Sequence, residues 1–268
     1  MNLFRVRPGG KVDLGRLDSA ATPGTGDKKE ARRRTLANVK RLGELQYLLY
    51  AEGKRSLLVV LQGMDAGGKD GVIRHVMTGV NPQGCRVTSF KTPTPEELAH
   101  DFLWRIHKAA PRKGEIGVFN RSHYEDVLVV RVHNLVPKAV WSRRYRRINE
   151  FERLLADGGV HVVKFFLHVS KDEQFKRLRE RLKNPARHWK VNPNDFEERR
   201  LWDDYMRAYE AALSRCSTEA APWFVIPADH KWFRDLAVSE ILVSAMERLD
   251  MKFPAPDCDI EAVKKKYL

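Results

Sequence analysis

A short apolar segment, a glycine-rich loop and a helical stretch follow one another near residue 60 and constrain the fold most. Residues 57–61 are Leu, Leu, Val, Val and Leu, a run typical of an interior parallel strand. The sequence GMDAGGKDG follows at residues 63–71 and fits the pattern GxxxxGK through Gly63, Gly68 and Lys69. In such a loop, backbone N–H groups surround phosphate oxygens and the helix N-terminus adds partial positive charge. The sequence therefore predicts a phosphate-binding loop, with a plain glycine-rich turn as the alternative.

The residue types inside this loop predict its chemistry. Lys69 provides a mobile positive charge for a phosphoryl group in transfer. A carboxylate beside phosphates repels them unless a cation intervenes, so Asp65 predicts Mg²⁺, or Mn²⁺ in its place. The alternative for Asp65 is a turn residue that bonds its own backbone. Position 70, normally Ser or Thr, is Asp. The residues expected to contact phosphate or nucleotide are Gly63, Ala66, Gly67, Gly68, Lys69 and Asp70.

Strand-like and helix-like segments alternate along the rest of the chain. Further strands are predicted within residues 86–90, 117–119, 160–169 and 223–226, and helical patterns cover residues 31–51 and 232–249 among others. This alternation predicts an α/β fold, a three-layer α/β/α sandwich with a five-stranded parallel sheet. Residues 1–30 are expected to form an N-terminal arm with little regular structure. Residues 31–250 would form the domain, and residues 251–268 a C-terminal tail.

The end of the third predicted strand carries a second group of polar residues. Arg121, Ser122, Glu125 and Asp126 follow it, and the carboxyl ends of parallel strands face the ligand crevice. Arg121 can donate two hydrogen bonds to phosphate oxygens and is expected to bind phosphate. Glu125 is a candidate second metal ligand, directly or through water, and is expected to supply a positioning contact for AMP. The alternatives are a helix N-cap from Ser122 and acidic residues that complement a helix dipole.

A cationic segment at about residues 176–200 predicts a mobile lid. Pro185 and Pro193 make it a poor continuous helix. A lid arginine can neutralise charge in a phosphoryl-transfer transition state, and Arg181 is the candidate. The candidates for binding a polyanion are Arg177, Lys183, Arg187 and Lys190, although a solvated helix face explains most of the segment's cations.

Composition limits the partner and excludes several protein classes. Lys and Arg number 49 against 35 Asp and Glu, a net charge of +14, so an acidic partner is expected. The three scattered cysteines form neither a disulfide framework nor a zinc motif, and a cytoplasmic location is expected. The start of the sequence has no apolar signal segment, and no apolar run approaches the ~20 residues of a membrane span.

Five segments together resemble the polyphosphate kinase 2 family, from about Arg33 to Leu249. They are GMDAGGKDG at 63–71, FNRSHYEDVLVV at 119–130, RHWK at 187–190 with Asp195, RRLWDDYMRAY at 199–209, and PWFVIPADHK at 222–231. The resemblance implies a P-loop kinase fold with a helical lid. It implies Mg²⁺-dependent, reversible phosphoryl transfer between inorganic polyphosphate and AMP, ADP or ATP, without nucleic acid or membrane partners, in a homodimer or homotetramer. By position, Asp65 resembles the catalytic, metal-binding carboxylate, Lys69 the phosphate-binding lysine, Arg121 the strand-end arginine and Arg181 a lid arginine.

Two positions distinguish this chain within that resemblance. Many family members have Asp where this chain has Asn120, so one carboxylate of the site is missing. His123-Tyr124-Glu125 is similar to the subgroup that accepts both AMP and ADP, whereas members that mainly convert ADP to ATP have Trp-Tyr-Asn there.

Two other functions remain alternatives. An ATP-dependent kinase of the thymidylate kinase type shares the loop, the strand-end arginine and the lid, but usually has Ser or Thr where this chain has Asp70. A nucleic-acid-binding protein without catalysis explains the charge but leaves the phosphate-binding loop unexplained, and no recognition-helix or zinc-finger pattern is evident.

Overall fold

Five parallel strands form the centre of the molecule. The computed structural model describes residues 2–268, with side chains from Leu3 onward. The strands are β1 (Ser56–Gln62), β2 (Cys85–Ser89), β3 (Ile116–Asn120), β4 (Val160–His168) and β5 (Trp223–Pro227), in the order β2-β3-β1-β4-β5. Leu57 of β1 lies opposite Ile116 of β3 and His161 of β4. The predicted five-stranded parallel sheet is confirmed.

The helices follow the strands in the predicted alternation. They are α1 (Lys28–Glu52), α2 (Lys69–Val76), α3 (Pro95–Ala99), α4 (Trp104–Ala109), α5 (Val129–Val132), α6 (Lys138–Asp157), α7 (Lys171–Lys183), α8 (Asn194–Glu197), α9 (Trp202–Cys216), α10 (Lys231–Glu247) and α11 (Ile260–Tyr267). Short 3₁₀ turns lie at Asn2–Phe4, Leu14–Arg16, Met77–Gly79, Pro82–Gly84, His123–Asp126, Pro185–Lys190 and Glu198–Leu201.

Two helical layers cover the sheet. Helix α10 contacts α1, α2, β4 and β5, whereas α6 contacts α9 and β4. Every residue of β1 is buried, as expected for a central strand with helices on both faces. This is the predicted three-layer sandwich.

Capping residues and an apolar stripe determine where helix α1 begins and ends and which face it buries. Helix α1 begins three residues before the predicted Ala31, because the Asp27 side chain accepts a hydrogen bond from the Lys29 amide and caps it. It ends at Gly53, whose φ of 63° is left-handed. Leu36 is exposed although it fits the apolar period, since α1 packs through the stripe that includes Leu42 and Leu49.

Both ends of the chain lie outside the sandwich but differ in packing. The N-terminal arm follows β5, where the Val6 amide donates to the Trp223 carbonyl at 2.9 Å, and Val6 and Leu14 are buried. The C-terminal helix α11 is exposed throughout. Among the described residues, the longest and most apolar helices still fall short of what a membrane crossing requires.

Candidate active site

The glycine-rich loop joins β1 to α2 at the carboxyl edge of the sheet, and a buried arginine packs against it. Gly68 has a φ of 111°, and a Cβ atom there would lie 2.0 Å from Nη1 of Arg234. A Cβ at Gly71 would lie 2.7 Å from Nη2 of the same side chain. Arg234 comes from α10 and pairs with Asp235 at 2.6 Å. Gly68 is therefore required by its left-handed backbone, and at Gly71 a larger residue would have to displace the Arg234 guanidinium. Residues 63–71 alone do not predict this contact with Arg234.

Lys69 is the first residue of α2, and its side chain points back into the loop. Its Nζ donates to the carbonyl oxygens of Gly63 at 2.5 Å and Met64 at 3.2 Å. Burial lowers the pKa of Lys69, and the negative charge of Asp65 opposes that shift. A cation is thus held inside the loop, where a phosphate would bind.

Arg121 connects two carboxylates at the rim of the loop. Its Nη2 lies 2.6 Å from Oδ1 of Asp65, and its Nη1 lies 3.4 Å from Oε2 of Glu125. Burial alone would raise the pKa of Asp65, but the positive charges of Lys69 and Arg121 hold it below the ordinary value. The Asp65 carboxylate is therefore ionised at neutral pH.

The turn after β3 determines where the Glu125 side chain points. Arg121 has a φ of 61° and its amide donates to the Leu61 carbonyl at 3.1 Å. Ser122 accepts a hydrogen bond from the Tyr124 amide, so the predicted capping role of Ser122 is confirmed. Glu125 turns toward the loop, where Gln62 of β1 donates to its Oε1 at 3.1 Å.

Asp126 lies apart from this group. Its Oδ1 is 2.8 Å from Nη1 of Arg144 on α6, and burial raises its pKa to about 6. Helix α6 buries Trp141, Tyr145 and Leu155, but Leu154 is exposed. From the sequence alone, Phe151 and Leu154 would together form the apolar side of this helix, but only Phe151 is buried, because the buried stripe passes beside Leu154.

The site offers two carboxylates to a cation. Within the part of the chain whose side chains are described, no group of three His, Cys, Asp or Glu side chains is placed to hold a metal ion. Asp65 and Glu125 lie on either side of the Arg121 guanidinium. One or two carboxylates completed by water and phosphate oxygens is the donor set that Mg²⁺ takes in phosphoryl-transfer sites, so these residues fit that ion.

Asn120 and Asp70 are in direct contact. Asn120 stands where many members of the resembled family have Asp, and Asp70 stands where the loop pattern normally has Ser or Thr. The Asn120 amide nitrogen donates to Oδ1 of Asp70 at 2.9 Å. Lys190 of the Pro185–Lys190 turn pairs with Oδ2 of Asp70 at 3.0 Å. An aspartate at position 120 would place a second negative charge against Asp70, whereas the asparagine amide donates a hydrogen bond to the Asp70 carboxylate. Asp70 also links α2, the helix that follows the loop, to the Pro185–Lys190 turn.

Arg181 approaches the site with a partner from beyond the lid turn. Its Nη1 lies 3.0 Å from Oδ2 of Asp195, and its positive charge contributes to the lowered pKa of Asp65. Burial raises the pKa of Asp195, and the negative charge of Asp65 raises it further. Asp195 therefore belongs to the site. From the sequence, Asp195 can be recognised only through its resemblance to the family motif, because no local pattern predicts that it lies near the loop.

The four cations expected to bind a polyanion differ in burial. Lys183 and Arg187 are exposed, and Lys190 is half-buried against Asp70. Arg177 is only 5% exposed, and its guanidinium donates to backbone carbonyls, two of them in the glycine-rich loop. The expectation that Arg177 contacts a polyanion is not supported, because its donors are occupied inside the protein.

A buried charged network supports the turn that carries Arg121 and Glu125. Lys164 of β4 is fully buried and pairs with Glu152 of α6, which is equally buried. Nζ of Lys164 also donates to the Tyr124 hydroxyl at 2.8 Å and to the Cys216 carbonyl at 2.7 Å. Nε2 of His123 lies 3.1 Å from Oε1 of Glu152. No periodic pattern in the sequence predicts this pairing.

Three features together define a P-loop phosphotransferase. They are a loop that encloses a lysine at the end of a central strand, an arginine at the end of the neighbouring strand, and Arg181 of α7 near the loop. The family model described as "Polyphosphate kinase 2 (PPK2)" matches residues 25–254. The chain belongs to the polyphosphate kinase 2 family.

Named relatives cover nearly the whole chain. A Meiothermus ruber protein named AMP/ADP-polyphosphate phosphotransferase is 57% identical, over 98% of this chain and 99% of its own length. A Rhodopseudomonas palustris protein named ADP-polyphosphate phosphotransferase is 49% identical, over 94% and 91% respectively. The solved structure of polyphosphate kinase 2 from Arthrobacter aurescens TC1 matches with a TM-score of 0.95 at 46% identity, over 98% of this chain and 94% of that one.

Proposed function

We propose that this enzyme transfers phosphoryl groups reversibly between inorganic polyphosphate and adenine nucleotides, converting AMP to ADP and ADP to ATP. The observation that carries the proposal is the grouping of Lys69, Arg121 and Arg181 around the Asp65 carboxylate. These are the charges that phosphoryl transfer requires, because catalysis of this reaction is mainly positioning and electrostatic stabilisation. The names of the two relatives support the choice of donor and acceptors.

Each residue has a proposed part in the reaction. The amides of the loop and Lys69 hold a phosphate group against the N-terminus of α2. Arg121 and Arg181 neutralise charge on the transferred phosphoryl group, and Asp195 holds Arg181 in place. Asp65, with Glu125, would hold Mg²⁺ or Mn²⁺, which supplies further neutralisation of phosphate oxygens when bound.

In this proposal, Glu125 is the residue that allows the enzyme to use AMP as well as ADP. His123 and Tyr124 are fully buried, so of the three residues that mark the subgroup only Glu125 faces the loop. AMP presents its α-phosphate where ADP presents its β-phosphate, so its attacking oxygen needs a different positioning contact. Glu125, directly or through a cation or water, would supply that contact.

Polyphosphate would be held by exposed cations beyond the loop. Lys183 is the exposed last residue of α7, Arg187 is exposed in the turn that follows, and the half-buried Lys190 ends that turn. The net charge of +14 also favours a long anion. A chain with many charges gains affinity by releasing counterions when it is neutralised, as nucleic acids do.

Assembly and location are also proposed. Tyr47 and Phe253 are both exposed, and their rings contact each other at a tilt of 59° with centroids 5.9 Å apart, an apolar surface that a homodimer or homotetramer would cover. The three cysteines are free thiols, in keeping with a cytoplasmic location. Light scattering after gel filtration measures the assembly, and a monomer would contradict it.

A donor assay tests the central proposal. Purified enzyme with Mg²⁺, long-chain polyphosphate and ADP, without ATP, should form ATP, and with AMP should form ADP. The Lys69→Ala variant prepared in the same way should form neither, which excludes a contaminating kinase. A protein that phosphorylates dTMP from ATP but makes nothing from polyphosphate would be a kinase of the thymidylate kinase type instead.

A further inference from the structure

The carbonyl oxygens of the glycine-rich loop are bonded by side chains from the lid helix. In α7, Nε2 of Gln174 donates to the Asp65 carbonyl at 3.0 Å. Nη1 of Arg177 donates to the carbonyls of Ala66 at 3.1 Å and Gly67 at 3.2 Å. Three successive carbonyls of the loop are thus held by two neighbouring side chains of one helix face.

The rest of the Arg177 guanidinium is equally engaged. Its Nη2 donates to the carbonyls of Ala228 at 2.6 Å and Asp229 at 2.9 Å, just after β5. Its Nε donates to Oε1 of Glu173 at 2.9 Å. The five N–H groups of a guanidinium therefore meet five acceptors. The Asp229 carboxylate accepts from the Ser170 amide at 2.7 Å, so the start of α7 is fixed to the same segment.

Holding these carbonyls fixes the direction of the amides that face a phosphate. In a planar trans peptide, the C=O of one residue and the N–H of the next point in opposite directions. The bonds to Asp65 and Gly67 therefore orient the amides of Ala66 and Gly68. The amide between them, that of Gly67, closes the turn on the Met64 carbonyl at 2.9 Å.

The loop has a conformation that needs such support. Ala66 has a φ of 61°, in the left-handed region that is unfavourable for a residue with a Cβ atom. Gln174 and Arg177 are both buried, at 1% and 5% exposure, so solvent does not compete for their donors. A protein holds a strained backbone of this kind only where its surroundings impose it.

We propose that Gln174 and Arg177 are positioning residues, which hold the glycine-rich loop in its phosphate-binding conformation from the base of the lid. The proposal rests on the phosphate-binding role of the loop in the proposed function. Gln174 and Arg177 act through the loop backbone and need no contact with substrate.

Four variants test this role. Gln174→Met and Arg177→Met remove the donors at similar side-chain length. Arg177→Lys keeps the charge but has three N–H donors and no planar fork. Arg207→Met is the control, since Arg207 on α9 is exposed and pairs with Asp204 on the same helix. For each variant, kcat and KM for polyphosphate and ADP are measured well below the melting temperature, together with amide hydrogen exchange of the loop peptide.

We expect Arg177→Met and Gln174→Met to lower kcat/KM by up to about 10²-fold, because small misplacements of binding groups have effects of this size. Exchange of the amides at residues 64–69 should accelerate, while exchange in the sheet stays at the wild-type rate. Arg177→Lys should recover part of the activity, and Arg207→Met should match wild type in both measurements.

Variants with a lower melting temperature but wild-type kcat/KM and loop exchange would overturn the proposal, because Arg177 would then only stabilise the fold. If Arg177→Met does not fold, Gln174→Met decides, since it leaves the guanidinium and its acceptors intact. Failure of the proposed function is a separate result: wild type then makes no ATP from polyphosphate, while the exchange measurement still tests whether α7 holds the loop.

Discussion

Substituting Lys164 by Met should destabilise the protein strongly, because it leaves a carboxylate buried without its cation. Lys164 and Glu152 are 0% and 1% exposed, and their ion pair lies beneath the turn after β3. Met is similar in length to Lys and creates little cavity. The effect therefore reports on charge and hydrogen bonding rather than on lost volume.

The magnitude follows from what Lys164 contacts. Its Nζ donates to the Tyr124 hydroxyl, the Cys216 carbonyl and the Glu152 carboxylate, and all three lose this donor in the variant. Removing one partner of a buried ion pair costs about 3–5 kcal/mol. For a domain of this size that lowers the melting temperature by roughly 10 °C.

The pH dependence should change sign with the same substitution. In wild type, burial raises the pKa of Glu152, but Lys164 and His123 outweigh it and hold the pKa below the ordinary value of 4.5. Stability from Glu152 is therefore complete above pH 4.5 and is lost as pH falls through the folded-state pKa. Without Lys164, burial dominates and raises that pKa, so the variant loses stability as pH rises above 4.5.

Urea unfolding at several pH values measures both effects. Lys40→Met, at an exposed position of α1, is the matched control and should change the unfolding free energy by less than about 0.5 kcal/mol. Adding Glu152→Gln to Lys164→Met removes the orphaned charge and should recover about 1–3 kcal/mol. A Lys164→Met protein within about 1 kcal/mol of wild type and with unchanged pH dependence would refute the reasoning.

Four further predictions concern the site. Lys69→Ala should lower kcat by about 10²-fold or more with little change in melting temperature, and a near-wild-type kcat would contradict its role in the loop. Asp65→Asn should raise the Mg²⁺ concentration needed for half-maximal rate, whereas an unchanged metal titration would make Asp65 only a turn residue and an Arg121 partner. Glu125→Gln should lower kcat/KM for AMP more than for ADP, and an equal loss for both would remove Glu125 from nucleotide selection. Polyphosphate affinity should fall more steeply with salt than ADP affinity, and equal slopes would show that the exposed cations do not bind the chain.

Much of the fold and the centre of the site could be predicted because the signals are local. The apolar run at residues 57–61 and the alternation of strands and helices define a parallel sheet, and the structure has all five strands within a residue or two of expectation. Lys69 and Asp65 lie in one loop only a few residues long. Their proximity follows from chain connectivity and needs no knowledge of packing.

The surroundings of the loop could not be predicted from the sequence. Arg177 and Arg181 share a helical face and look alike, yet one is buried against loop carbonyls and the other pairs with Asp195. Periodicity indicates which residues share a face, but not whether that face meets solvent or another segment.

Tertiary structure decided the contacts that join distant parts of the chain. The amide of Asn120 reaches Asp70, which is 50 residues earlier, and Arg234 packs on Gly68 from α10. Each depends on the path of a strand or helix across the sheet, and side-chain type alone does not specify that path. A P-loop and the charges near it can be derived from the sequence, because the loop motif and its charged residues are contiguous. How α7 and α10 pack against that loop determines which of those charges lie at its rim and which bond its backbone, because these contacts join segments more than 100 residues apart.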